Sequence, residues 1–152
     1  VGLYKPLSNK FFDEKAKKSR SAFGVKLTAM QAFKNECKLV SASPRIFCLA
    51  TDQSPSNPNR CYWTTFLNQD TAVFFGAEKY AIELDAPVVY LSINKHKRGY
   101  YHVVCTTLVE FPKETKYGEI TEKHTQVLEQ DIIKKPEFWL WSHKRWKHKK
   151  PV

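Results

Sequence analysis

Two strand-like runs rich in β-branched and aromatic residues, Pro87–Ile93 and Tyr100–Phe111, are joined by a basic turn, Asn94–Gly99. A helical stretch follows, with Thr121 as its expected N-cap, Val127, Leu128, Ile132 and Ile133 as its apolar face, and Pro136 as its stop. Upstream the alternation repeats. Leu7, Phe11, Phe12 and Ala16 recur at helical spacing up to a stop at Gly24, and a second helix is expected from Thr28 through Met30, Phe33 and Cys37. Ser41–Pro44 then breaks the chain, and Arg45–Thr51 reads as a buried strand. Cys61–Leu67 is strand-like, Asn68–Asp70 interrupts it, and Thr71–Leu84 reads as a loop entering a helix near Gly76. Strands alternating with helices predict an α/β domain, a mixed β-sheet flanked by helices, over residues 1–152 as a single unit.

Charge narrows the partners. The net charge of +10 gathers at the two ends: residues 1–26 and 142–152 each carry +5, and the intervening stretch is neutral. An anionic partner fits this map, whether nucleic acid, phosphorylated lipid or an acidic protein. Residues 136–152 form a basic tail in which Trp139, Trp141 and Trp146 sit among His143, Lys144, Arg145 and Lys147. The rings either stack on bases or enter a membrane interface, or they pack onto the domain and leave only the cations in water. No apolar run approaches the ~18 residues of a membrane span. Cys37, Cys48, Cys61 and Cys105 show neither a CxxC nor a zinc spacing, which predicts reduced thiols and no metal or other cofactor.

No GxSxG, GxGxxG, P-loop or HExxH motif is present, and each of the five histidines reads as structural or superficial. Asp52–Gln53 follows an expected buried strand, at the sheet edge where α/β proteins place ligands, or else Asp52 caps a turn. Phe74–Phe75–Gly76 puts rings beside a flexible residue at a helix entry. Its backbone amides suit a phosphate or carboxylate, or the rings simply anchor the turn.

In order along the chain stand Tyr4–Lys5–Pro6–Leu7 with Asn9, then Arg20 and Gly24, Asp52–Gln53, Phe74–Phe75–Gly76, Ala86–Pro87–Val88–Val89 and Gly99–Tyr100. The series closes on Pro136–Glu137–Phe138–Trp139–Leu140–Trp141–Ser142–His143–Lys144–Arg145–Trp146–Lys147, its most specific block. This ordered set resembles the bacterial lipid A biosynthesis acyltransferases, the late acyltransferases of the lysophospholipid acyltransferase superfamily. The resemblance implies transfer of a fatty acyl chain from acyl carrier protein, or another acyl donor, to a hydroxyl of a lipid A precursor or related phospholipid. The place of reaction would be the cytoplasmic face of the inner membrane, an anionic surface, with no nucleic acid as partner.

The family's catalysis rests on a His-x4-Asp/Glu motif ahead of the Tyr-Lys-Pro block, its histidine deprotonating the acceptor hydroxyl. His124 and Glu129 have that spacing but follow all the other blocks on an amphipathic helix, and they read as a helical pair rather than the motif. The expectation is therefore a C-terminal portion of an acyltransferase domain, inactive alone and without catalytic residues of its own. A noncatalytic lipid-binding remnant and a nucleic-acid-binding module are the alternatives. By resemblance, Tyr4, Lys5, Pro6, Arg20, Asp52, Phe75 and Gly76 line the acceptor side, and Lys144, Arg145 and Lys147 meet an anionic partner.

Overall fold

The computed structural model describes residues 1–39 and 43–151. Two compact units divide the chain, Val1–Ala50 and Thr51–Val152. The class is α/β, with six strands and four α-helices among the described residues. The strands pair two by two, in one parallel and two antiparallel ladders.

In the first unit, strand β1 (Gly2–Tyr4) crosses over through helix α1 (Lys10–Ser21) to the parallel strand β2 (Leu27–Ala29). Asn9 caps α1 by accepting from the Phe12 amide, and Gly24 follows the helix in the left-handed region, φ 79°. The apolar periodicity does not build a core here. Phe11 and Phe12 are 68% and 58% exposed, and Asp13 is the residue α1 buries.

Thr28 starts no helix. It is the buried centre of β2, because β1 needs a neighbour and Leu27–Ala29 supplies it. A 3₁₀ turn, Met30–Ala32, then leads into the short helix α2 (Phe33–Lys38). Arg45–Thr51 likewise makes only one bridge, Cys48 to Gly2, and alternates half-buried with exposed residues rather than lying buried. A three-residue β1 offers it no longer edge. Arg45 instead turns back to the end of α2, where its guanidinium donates to the carbonyls of Glu36 (3.0 Å) and Leu39 (2.6 Å). Phe33, fully buried, meets Phe47 edge-on at 5.3 Å. The break expected at Ser41–Pro44 lies in part outside the described residues.

The second unit opens with the hairpin β3 (Cys61–Phe66) and β4 (Gln69–Phe74). Leu67 and Asn68 both have positive φ, 49° and 60°, as a two-residue turn matched to strand twist requires. The tight turn thus falls at Leu67–Asn68, and Gln69 and Asp70, expected to interrupt the strand, already belong to β4, as does Thr71, expected as loop. Helix α3 (Gly76–Leu84) begins where expected. Strands β5 (Val88–Lys97) and β6 (Tyr100–Val109) form the long hairpin, which carries the basic turn deeper into strand than expected.

Helix α4 (Glu119–Lys134) begins at Gly118, φ 86°, not at Thr121, which lies buried in its first turn. The second unit's core gathers Ala81, Val109 and Ile120, with Phe66, Val73 and Ile132 also buried. No helix among the described residues is long and apolar enough to cross a membrane.

Candidate functional site

The Tyr4–Lys5–Pro6 turn is tied to α1 by one carboxylate. Asp13 accepts from the Leu7 amide at 2.9 Å and pairs with Lys17 at 2.6 Å, and the Lys17 ammonium lies 5.5 Å over the Tyr4 ring. The bond to Lys17, with the one from Leu7, holds the Asp13 carboxyl below its ordinary pKa. The bond to Asp13, then one to Tyr4, raises that of Lys17. Asp13, Lys17 and Arg20 stand at i, i+4 and i+7 and share a face of the helix. Arg20 is exposed at its last turn, and Lys5 and Pro6 are exposed in the turn. Lys17 thus lies against Tyr4, with Arg20 about one turn further along the same helix face.

In the second unit the expected residues separate. Phe75 packs against Tyr117, ring centroids 4.9 Å apart, and stacks on Tyr62 at 6.1 Å. Gly76 has open space beside it, since a Cβ built there meets nothing within 4 Å. Asp52 is half-buried, and its charge acts on Tyr90 and Arg145.

The tail docks rather than dangles. His143 Nε2 accepts from the Ser54 amide at 2.9 Å, and His148 Nε2 lies 2.8 Å from the Pro55 carbonyl. The Trp146 indole donates to Thr71 Oγ1 at 2.8 Å, and the Arg145 guanidinium to the Ala72 carbonyl at 2.7 Å. Trp139 and Trp146 pack on Phe66, at 6.2 and 6.4 Å, while Trp141 stays 57% exposed.

Arg145 corrects the expectation that every tail cation faces water. It is 4% exposed and sits 5.6 Å over the Phe66 ring, and burial lowers its pKa to about 10, which leaves it charged at neutral pH. Lys144 and Lys147 are exposed. An open cleft of ≈ 390 Å³ lies between tail and hairpin turn, lined by Gln69, Asp70, Trp146, His148, Lys149 and Lys150.

His124 and Glu129 do not form an acid–base pair. Residues five apart on a helix point about 140° from each other. His124 is 6% exposed with no hydrogen-bond partner on Nε2 among the described residues, and burial lowers its pKa to about 4. Glu129 accepts instead from the Leu67 amide at 2.7 Å, which holds the β3–β4 turn.

Two polar constellations escaped the sequence reading. Glu78, fully buried, accepts from the Gly118 amide (2.6 Å) and from the Thr121 amide and hydroxyl (2.8 and 2.7 Å). Asp131 on α4 accepts from Ser92 (2.7 Å) and Tyr90 (3.2 Å) on β5. Nothing local separates Glu78 from the exposed Glu83 on the same helix. The one available sign was Tyr90–Ser92–Asn94, a polar alternation inside an otherwise apolar strand.

The family profile of bacterial lipid A biosynthesis acyltransferases matches residues 1–148. The chain belongs to this family. No individual curated protein matches it. Membership in the lipid A acyltransferases makes the chain part of an inner-membrane-linked biosynthesis whose substrates are an acyl donor and a lipid A precursor. The acyltransferase match runs through both compact units and takes in the docked tail as far as His148.

Proposed function

We propose that the chain supplies the acceptor-binding side of acyl transfer from acyl carrier protein to a hydroxyl of a lipid A precursor, on the cytoplasmic face of the inner membrane. The family match over residues 1–148 carries this reading. The cationic face of α1 supports it: Arg20, one turn from Lys17 on that face, suits the phosphate of a lipid, which a guanidinium grips through two parallel hydrogen bonds. Lys5 and Pro6 extend that face. Lys144 and Lys147 steer the anionic donor. Arg145 holds the tail that bears them.

The burial of His124 and the bond of Glu129 to Leu67 support the reading that this pair is not the base of the reaction, and acceptor binding without turnover by these 152 residues is part of the proposal. Titration of the chain with dispersed lipid A precursor tests the reading. Saturable, salt-weakened binding is expected, reduced roughly 10-fold by Arg20→Gln. Tight binding of single-stranded or duplex nucleic acid with no lipid binding overturns it. Acyl transfer that disappears in His124→Gln overturns the claim about that histidine.

A further inference from the structure

The β5–β6 hairpin is amphipathic the wrong way round for a soluble domain. On β5 the polar alternates turn inward, where Tyr90 and Ser92 bond to Asp131 of α4. The apolar alternates turn outward: Val89 and Leu91 are each 49% exposed and Ile93 is 66% exposed. Register places Ile93 opposite Val103 and Lys95 opposite Tyr101, so β6 continues the same outer face, with Val103 57% and Tyr101 61% exposed. An antiparallel pair with one solvated face normally shows the reverse pattern.

The end of this face is cationic. Lys95 stands beside Tyr101 at its end and Arg98 at the hairpin tip, the bulge after Lys95 turns Lys97 to the other face with its ammonium 4.5 Å over the Tyr100 ring, and no acidic residue occurs between Asp85 and Glu110. Apolar surface ending in tyrosines and lysines is the arrangement of segments that settle into the bilayer interface, rings at headgroup level and ammonium groups among phosphates.

We infer that the outer face of the β5–β6 hairpin is a docking surface for an anionic lipid bilayer. The inference rests on the proposed function for the membrane as partner and deepens it by assigning the contact to this hairpin rather than to the tail. Charge selects the occupant. A second copy seated by two-fold symmetry would bring the same acid-free, positive surface against itself, whereas anionic headgroups complement it.

The test is co-sedimentation of the full chain with vesicles of phosphatidylcholine, alone or mixed with phosphatidylglycerol. Binding is expected to the mixed vesicles only and to weaken with salt. The Lys95→Gln, Lys97→Gln, Arg98→Gln triple variant should lose roughly 100-fold in affinity. Ile93→Ser, which touches no charge, should also weaken binding, with the circular dichroism of both variants unchanged.

Lys144→Gln with Lys147→Gln runs in parallel. If that pair abolishes binding while the hairpin variants keep it, the inference falls and the proposed function stands. It falls equally if the wild type ignores both vesicles yet binds dispersed lipid A precursor. A hairpin variant that changes the sedimentation coefficient but not vesicle binding assigns the face to a second copy and overturns the inference.

Discussion

Glu78 on α3 caps α4 through Thr121, taking both its amide and its hydroxyl proton onto one carboxylate oxygen while the other oxygen holds the Gly118 amide. A helix that begins at a glycine has no side chain of its own to satisfy its first amides. A carboxylate from a neighbouring helix does so here, with the favourable sign for the helix dipole. Glu78→Ala leaves three buried donors unpaired and should destabilise the second unit by about 3–5 kcal/mol, measured by urea denaturation. Glu78→Gln keeps an acceptor and should cost less. Equal stability of all three proteins would disprove the cap.

The pH dependence of stability should carry the mark of His124. Burial holds its folded pKa at about 4 against an ordinary 6.5. Between those values the unfolded chain binds a proton that the folded chain does not, so stability is full above about 6.5 and falls as pH drops toward 4. The loss reaches up to about 3 kcal/mol. Urea midpoints at pH 7 and pH 5 should differ in the wild type, and the difference should shrink in His124→Leu. An unchanged difference assigns it to the carboxylates.

Gly118 is confined twice over. Its φ of 86° disfavours any side chain, and a Cβ there falls 2.5 Å from the ring of Tyr62, whose hydroxyl bonds to Glu122 at 2.9 Å. Gly118→Ala should cost about 2 kcal/mol or more and disturb Tyr62. The reading is checked by thermal unfolding together with the crystal structure of the variant.

Arg145 and its lysine neighbours should behave as different kinds of residue. Arg145→Ala leaves the Ala72 carbonyl unpaired and uncovers Phe66, a loss of about 2–4 kcal/mol in urea denaturation. Lys144→Gln and Lys147→Gln should shift stability by no more than about 0.5 kcal/mol. Matching losses across the three variants would mean that the tail is not anchored by Arg145.

What the sequence made legible was local. Turn chemistry marked Gly24, Gly76 and Pro136, and β-branched runs marked the β5–β6 hairpin, because each signal acts within a few residues of itself. Thr28 was misread because β2 is a strand only by virtue of β1, a partner more than twenty residues away that overrides a good N-cap. Leu67 read as strand and Asn68–Asp70 as an interruption because only Asn is at ease at positive φ, and Leu67 is held there by a hydrogen bond from its amide to Glu129. The strand end at Tyr4 and the exposure of Lys144 and Lys147 could be read from local pattern and charge. Arg145 could not, since one cation in a run of cations gives no local sign of which one the fold withdraws from water.

Phe66 is fully buried, and its lid is made of Trp139, Arg145 and Trp146. The bonds that fasten this lid, Arg145 to Ala72 and Trp146 to Thr71, span 73 and 75 residues of chain. On the ribosome the β3–β4 hairpin therefore emerges long before its cover has been translated. For that interval the nascent chain carries a bare aromatic between two strand edges, the kind of surface that chaperones bind and aggregates grow from. The same tail that completes the fold thus sets how long its synthesis stays vulnerable.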